Sequence, residues 1–283
     1  MTSGLTGRDR RPGPSVRTRV VEYVDGARRE HEDRLATEEP LEIRLAWPGV
    51  PARRVAVTMR TPGHDFELAA GWLVHERVLE PSQISAVRYC TDETLDALEQ
   101  YNVVTVEASS PPLRVPGARD VSSACGVCGK ESIAEVVAGP LPQPADFRVP
   151  VDLVHSLPGR LREQQPGFDR TGGLHAAGLF EVDGTRVVVR EDVGRHNAVD
   201  KAVGALLLGN AGRTAPPGVL VLSGRVGFEL VQKALVSGIG LVVAVGAPSS
   251  LAVALAQEAG MGLVGFTRPD RCVVHAGDHR LGV

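Results

Sequence analysis

Apolar and polar residues alternate along much of the first 108 residues, with the period of two that half-buried strands show. The segments with this pattern are VRTRVVEYV, LEIRLAW, RRVAVTM and NVVTVEA. The pairs Asp25-Gly26 and Pro48-Gly49 end the first two segments and are typical of turns. In DFELAAGWLVHERVL the apolar residues recur at helical spacing instead, and Asp65 is a plausible N-cap of this helix. We therefore predict a β-rich region with one helix over residues 16–120.

The second half of the chain, residues 151–283, has continuous apolar runs separated by helical patterns. The runs GVLVLSG, GLVVAVG and MGLVGF read as buried strands, and VGFELVQKALVSG and SSLAVALAQEAG read as helices between them. Before them, LHAAGLFEV and RVVVRED flank Asp183-Gly184 and predict a hairpin. Buried strands that alternate with helices favour a parallel sheet covered on both faces, so the fold class is α/β.

Two segments lack a regular pattern. We predict a disordered basic tail over residues 1–15. We predict a mobile loop and linker between proline-rich stretches over residues 121–150. The loop carries SSACGVCGK, which places Cys125 and Cys128 three positions apart and Lys130 shortly after them.

Three loops should meet at one edge of the predicted sheet, because the carboxyl ends of parallel strands lie together. These loops are SGRVG, GAPSS and GFTRPDR, which contain Arg225, Arg268 and Arg271. A glycine after a strand usually makes only a turn. Three such loops with arginines and serines on one edge nevertheless predict a crevice for phosphate or nucleotide.

The densest polar segment is REDVGRHNAVDK, and it allows two interpretations. It can be a helix start capped by Asp192 with a solvated charged face and an Asn197–Lys201 pair, or a polar cluster that lines the crevice. His196 and Asp200 lack further ligands at fixed spacing, so we predict no metal site here. We assign His64 and Asp65 to helix capping and packing.

Composition excludes several classes of protein. The formal net charge of −3 gives no global attraction for nucleic acid, and no apolar run is long enough for a membrane helix. The amino terminus lacks the apolar core of a secretory signal, so a cytoplasmic location is expected. In that compartment a close cysteine pair more often binds metal or does chemistry than staples a fold.

The CxxC pair itself admits three chemistries. A structural zinc site needs about four ligands, and this chain has one such pair and no second one. A redox pair needs a thiolate, and so does a sulfur relay in which Cys125 carries a persulfide that Lys130 can stabilise. The chemistry alone leaves the redox and relay interpretations open. Zinc deamination is disfavoured, because His175-Ala176-Ala177 lacks the glutamate of the deaminase signature.

The order of the motifs TPGHDFELAAGWLVHE, CGVCGK, TGGLHAAGL, REDVGRHNAVDK, SGRVGFELVQKA, APSSLAVALA and GFTR resembles the FdhD family of sulfur carriers. The resemblance implies a three-layer α/β/α domain similar to cytidine deaminases behind an N-terminal β-rich region. It implies transfer of sulfur from a cysteine desulfurase to the molybdenum (or tungsten) bis-guanine-dinucleotide cofactor, which formate dehydrogenase requires. Cys125 matches the persulfide-bearing cysteine of the family, and Cys128 matches its partner.

The resemblance also assigns the cofactor contacts and the assembly. The contacts fall on the six residues Phe266, Thr267, Arg268, Pro269, Asp270 and Arg271, which agrees with the predicted crevice. The family implies a cytoplasmic homodimer that binds its cofactor as an acceptor substrate and holds no metal of its own. The alternatives are a chaperone that binds the cofactor without moving sulfur, and a redox or zinc module.

Overall fold

A computed structural model describes residues 13–90, 99–115, 143–209 and 215–282 of the chain. Cys125, Cys128, Lys130 and most of the predicted loop lie outside these residues. The element bounds that follow refer to the described part alone.

The amino-terminal region contains a hairpin and a four-stranded sheet, which include the four alternating segments and two further strands that the pattern did not predict. Strands β1 and β2 pair antiparallel, and the sheet has the order β4-β3-β6-β5, in which β3 and β6 are parallel. The elements are β1 Ser15–Val24, β2 Ala27–Ala36, β3 Glu39–Trp47, β4 Val50–Arg60, α1 Asp65–His75, a 3-10 turn Pro81–Gln83, β5 Ile84–Tyr89 and β6 Val103–Ala108. Because β1 begins at Ser15, the last residue of the predicted tail belongs to a strand.

The core of this region follows from the alternation in β3. Leu41, Ile43 and Leu45 are fully buried, and they pack with Leu68 and Leu73 of α1 in one apolar cluster. The one predicted helix therefore covers the face of the sheet that the alternating residues build.

The carboxyl-terminal region is built on a six-stranded main sheet of order β13-β12-β11-β10-β8-β9. Strands β10, β11 and β12 are parallel, β8 and β9 form the predicted hairpin, and β13 returns antiparallel to β12. The strands are β7 Val149–Pro150, β8 His175–Phe180, β9 Arg186–Asp192, β10 Val219–Leu222, β11 Leu241–Ala244, β12 Gly262–Arg268, β13 Arg271–Ala276 and β14 Leu281–Gly282. The short strand β7 pairs with β14 and begins inside the predicted linker.

Helices cover both faces of the main sheet and make three layers. One apolar cluster joins the sheet to α4, α5 and α6, and a second cluster on the opposite face joins it to α2. The helices are α2 Val151–Arg162, α3 Pro166–Thr171, α4 Arg195–Gly209, α5 Phe228–Val236 and α6 Ser250–Glu258, with a 3-10 turn Asp278–Arg280. The predicted α/β/α architecture is confirmed.

The two regions meet where α1 crosses α4, and two glycines allow this crossing. A Cβ atom on Gly71 would lie 2.0 Å from the carbonyl oxygen of Asp200, and one on Gly204 would lie 1.8 Å from that of Glu67. Both distances are far below van der Waals contact. The two helix backbones therefore touch, and each glycine faces the other helix.

Within the part of the chain that the structure describes, no helix has both the length and the apolar character that crossing a membrane requires.

Candidate functional site

The three loops that follow β10, β11 and β12 are joined to one another by main-chain hydrogen bonds. Gly246 N–H donates to Gly224 O at 3.0 Å, and Phe266 N–H donates to Gly246 O at 3.1 Å. A Cβ on Gly246 would lie 2.8 Å from backbone atoms of Gly224 and Arg225, so this position requires glycine. The carboxyl ends of the strands thus form one continuous edge, as predicted.

A groove runs along this edge on the side of α2 and holds two adjoining cavities. The first, which we name the β12 cavity, has a volume of about 520 Å³ and lies between α2 and the end of β12. The second, which we name the α3 cavity, has a volume of about 420 Å³ and lies between α2, α3 and the start of β8. Both cavities are lined by Pro158, Arg162 and Val245, so they are neighbouring parts of one groove.

Arg268 and Thr267 bring polar groups to the β12 cavity. Arg268 Nη1 donates to the carbonyl oxygens of Val245 at 2.9 Å and Thr267 at 2.8 Å, which fixes the guanidinium at the cavity wall. Its other donors leave capacity for a phosphate. The side chain of Thr267 is buried, and its hydroxyl oxygen has no hydrogen-bond partner among the described residues. A buried orphan hydroxyl is costly, and a bound ligand would remove that cost.

The structure separates the six residues that the resemblance assigns to cofactor binding. Thr267, Arg268 and Pro269 line the β12 cavity, whereas Asp270 and Arg271 lie exposed at the turn into β13. Phe266 does not line this cavity. Its ring lies 6.3 Å from that of His275, and its φ of 51° is an uncommon value for a residue with a side chain.

Among the described residues, the three arginines of the predicted crevice do not all line these two cavities. Arg268 lines the β12 cavity, but Arg225 and Arg271 do not line either of the two cavities. Arg225 lies exposed on the loop after β10, close enough to His175 to influence it electrostatically.

His175 starts β8 and lines the α3 cavity, a position that the sequence did not assign to it. Its ring packs against Gly224, where a Cβ would lie 3.2 Å from Nδ1. Burial lowers the pKa of His175, and the positive charge of Arg195 lowers it further. The imidazole is therefore neutral at pH 7 and can both donate and accept a hydrogen bond.

The segment REDVGRHNAVDK is buried or half-buried throughout, so the interpretation as a solvated charged face is wrong. Asp192 accepts hydrogen bonds from Thr61 N–H at 3.1 Å and Gly194 N–H at 2.8 Å, and Lys201 Nζ lies 2.7 Å from its carboxylate. Lys201 also donates to Thr61 O at 2.7 Å. Asn197 does not pair with Lys201 as expected, because its side chain donates to Met59 O at 2.7 Å. The segment therefore joins the two regions through Thr61 and Met59, and none of its residues lines the two cavities.

Asp65 is not the N-cap of α1, contrary to the prediction. His64 holds the N-cap position with φ of 58°, and its side chain makes no capping hydrogen bond. Asp65 is the first helical residue, and its carboxylate accepts two hydrogen bonds from Arg60, at 2.9 and 3.1 Å. Tyr89 OH donates to the same carboxylate at 2.9 Å. A buried ion pair replaced capping here, because Arg60 is fully enclosed and needs a charged partner.

His75, Asp200 and Ser237 form a serine–histidine–aspartate arrangement beneath the α1–α4 crossing. His75 Nδ1 lies 2.5 Å from Asp200 Oδ1, and His75 Nε2 lies 2.8 Å from Ser237 Oγ. Lys233 Nζ donates to Asp200 Oδ1 at 2.7 Å. Burial lowers the pKa of His75, and the charge of Lys233 and the His75 hydrogen bond hold that of Asp200 low although burial opposes ionisation.

This arrangement does not have the geometry of a hydrolase. A catalytic serine needs nearby N–H donors that are free to hold an oxyanion. The N–H groups of Ser237, Gly238 and Ile239 all donate to carbonyl oxygens of α5 instead. We conclude that the cluster is a structural network between the two regions.

Metal ligands are not grouped in the described residues. No set of three or more histidine, cysteine, aspartate or glutamate side chains there is arranged to hold a metal ion. Cys90 and Cys272 are both half-buried, and burial raises the pKa of the Cys272 thiol.

Comparison with known proteins decides the family. A sequence model of the FdhD/NarQ family matches residues 36–282. The chain belongs to the FdhD/NarQ family. Among its relatives, the sulfur carrier protein FdhD of Streptomyces coelicolor is 49% identical over 94% of this chain and 95% of its own length. The sulfur carrier protein FdhD of Nocardia farcinica is 46% identical over the same shares of the two chains.

A solved structure confirms the fold of this FdhD/NarQ chain. A protein from Desulfotalea psychrophila, described as a formate dehydrogenase accessory protein, superposes with a TM-score of 0.75 at 26% identity. The match covers 95% of this chain and 100% of that protein.

Proposed function

We propose that this protein is a cytoplasmic sulfur carrier that serves the maturation of formate dehydrogenase. In this proposal Cys125 accepts sulfur from a cysteine desulfurase and delivers it to the molybdenum (or tungsten) bis-guanine-dinucleotide cofactor, which is the acceptor substrate. The protein works as a homodimer, and Cys128 assists Cys125. Membership of the FdhD/NarQ family and relatives named as sulfur carriers support this function.

The β12 cavity is the observation that supports binding of the acceptor cofactor. Its volume of about 520 Å³ lies within the range of small-molecule sites. Arg268 offers a fixed cation for a diphosphate, and Thr267 offers a buried hydroxyl without a partner in the described chain. These groups suit the nucleotide part of the cofactor, and Arg225 and Arg271 would approach it from the neighbouring loops.

The loading step balances without an added oxidant or reductant. The Cys125 thiolate attacks the outer sulfur of the persulfide on the desulfurase. A new S–S bond forms at Cys125, the old S–S bond breaks, and the electron pair leaves on the thiolate of the desulfurase. Lys130 would favour the persulfide anion by its positive charge.

Mass spectrometry tests the loading step. After incubation with a cysteine desulfurase and cysteine, without a reducing agent, the wild-type protein should gain one sulfur on Cys125. The Cys125→Ser variant should gain none, and Cys128→Ser should still be loaded. Cys272→Ser is the matched control, because its raised pKa keeps this thiol unreactive in the folded protein. An unmodified Cys125 in the wild type would contradict the relay and favour the cofactor chaperone.

Nucleotide binding tests the cavity. Arg268→Ala should weaken binding of GDP by about 10- to 100-fold, the loss expected for a hydrogen bond to a charged group. Arg186→Ala is the control, since Arg186 is exposed at the opposite edge of the main sheet. Equal GDP affinity in wild type and Arg268→Ala would place the nucleotide elsewhere.

A further inference from the structure

An apolar groove lies where the carboxyl end of α1 meets α4 and the loop that follows α5, and we name it the Ile239 groove. Its walls include Val74, Leu206, Leu207 and Ile239, and its volume is about 270 Å³. Ser237 is the one polar side chain among the described residues that line it. The volume is below the range of most small-molecule sites, so the groove suits a few aliphatic side chains of a protein segment.

A segment of this chain, residues 116–142, begins beside the groove and lies outside the described residues. Just before it, Leu113 N–H donates to Val78 O at 2.9 Å, and Arg114 Nε donates to Glu76 O at 2.8 Å. The chain is therefore held against the end of α1, which supplies one wall of the groove.

The other end of this segment is close to the groove as well. A Cβ on Gly240 would lie 3.1 Å from the Cβ of Pro144 and 2.8 Å from the ring of Phe147. Gly240 directly follows Ile239, which lines the groove. The chain thus enters and leaves the segment beside the same apolar surface.

The sequence of the segment supplies an apolar face of matching size. Ile133, Val136 and Val137 have the i, i+3, i+4 spacing of one helix face. Ser132 and Glu135 fit the capping box that begins a helix. A helix of this length is not stable alone in water, so its apolar face needs a surface to pack against.

The link from this apolar face back to the described structure is short. Gly139-Pro140 ends the helical pattern, and the five residues from Gly139 to Pro144 span at most about 18 Å. A helix over residues 132–139 is thus kept within reach of the groove. Such a tether gives an effective concentration in the millimolar range, which favours this segment over a second copy of the chain as the occupant.

We propose that the Ile239 groove binds residues 132–139 of the same chain as a short helix, with Ile133, Val136 and Val137 seated in the groove. This is the helix-in-groove mode of recognition, in which apolar anchors on one helix face fill an apolar channel. The docking does not depend on the proposed function. Its use, which is to present Cys125 to the sulfur donor at one fixed place, rests on that function.

Disulfide trapping tests the contact in the full-length protein with its four native cysteines replaced by serine. The pair Leu207→Cys, Val137→Cys should form a disulfide within one chain under mild oxidation, detected by mass spectrometry of the peptides. The control pair Leu207→Cys, Glu135→Cys places the second thiol on the opposite helix face and should react at least about tenfold more slowly. Equal rates for the two pairs, or a disulfide between two chains, would overturn the inference.

Hydrogen exchange tests the docking without added cysteines. Amides of residues 133–138 should exchange at least about tenfold more slowly in the wild type than in Leu207→Asp, which places a charge in the groove. Leu208→Asp changes the exposed neighbouring residue, which does not line the groove, and should exchange like the wild type. Val136→Asp alters the segment alone and should exchange fast even if Leu207→Asp fails to fold. Equal exchange in the wild type and Val136→Asp would refute the docking.

The outcomes separate this inference from the proposed function. A wild-type protein that takes no sulfur on Cys125 but protects residues 133–138 would refute the relay and leave the docking intact. A wild-type protein that takes sulfur while these residues exchange as fast as in Val136→Asp would refute the docking alone.

Discussion

Replacement of Asp200 by asparagine should destabilise the protein strongly, although Asp200 is remote from the groove. Asp200 is 1% exposed and receives hydrogen bonds from Lys233 at 2.7 Å and His75 at 2.5 Å. Asparagine keeps the shape of the side chain but removes the charge. Among the described residues, the carboxylate within 4.0 Å of Lys233 is then that of Glu76, at 3.9 Å, and Lys233 is 5% exposed.

The magnitude follows from the burial of this pair. Breaking a buried ion pair by removing one partner costs about 3–5 kcal/mol, because the other charge is left uncompensated. A domain of this size loses roughly 2–4 °C of melting temperature per kcal/mol, so Asp200→Asn should lower the Tm by about 6–20 °C. The control is Glu32→Gln, which breaks an exposed pair with Arg17 and should cost less than about 1 kcal/mol.

Thermal and urea unfolding, followed by circular dichroism, measure both variants. The double variant Asp200→Asn, Lys233→Met removes the orphan charge as well and should recover part of the loss. The reasoning would be refuted if Asp200→Asn were no more destabilising than Glu32→Gln. It would also be refuted if the double variant lost as much stability as Asp200→Asn and the single variant Lys233→Met together.

Two further predictions concern the contacts that α1 makes with α4 and with β9. Gly204→Ala should destabilise the protein by about 1–3 kcal/mol through overpacking, because its Cβ would lie 1.8 Å from Glu67 O. The control Gly159→Ala in α2 has open space around the new Cβ and should stabilise the protein by up to about 1 kcal/mol. Urea midpoints that shift in the same direction for both variants would contradict the close crossing. Burial would raise the pKa of Glu67, but hydrogen bonds from Arg190 and His64 lower it from 4.5 to about 2. The ionised Glu67 therefore stabilises the folded protein fully above pH 4.5, and this contribution is lost as the pH falls toward 2. Unfolding measured between pH 5 and pH 2.5 should therefore show a smaller acid loss in Glu67→Gln than in the wild type.

Local patterns were enough to predict the class of fold and most strands and helices, although β2, β5, α2 and α3 were not predicted. The alternation in β3 and the continuous apolar runs in β10, β11 and β12 depend only on which faces of a strand are buried, and neighbouring residues express that directly. The position of the groove followed as well, since parallel strands must end at one edge. The motif order was sufficient to indicate the family.

Burial of charged residues could not be predicted in the same way. Asp192 and Lys201 look like surface residues in the sequence, because their partner Thr61 lies more than 130 positions away along the chain. Gly71 and Gly204 likewise gave no signal, since a helix glycine has meaning only when the other helix is in place. The position of His175 at the α3 cavity was missed because the walls of this cavity come from α2, α3 and two strand ends.

The three arginines of the sheet edge show which part of the site the sequence predicts and which part it does not. Their loops determine that Arg225, Arg268 and Arg271 lie at the same edge, and the sequence alone establishes this much. The register of β12 shifts between Gly265 and Arg268, and Arg268 lines the groove, whereas Arg271 is the exposed first residue of β13 and lines neither cavity. Local hydrophobicity indicates which segments form buried strands. The direction of a side chain at a strand end depends instead on how that strand pairs with its neighbours, and only the folded sheet determines this.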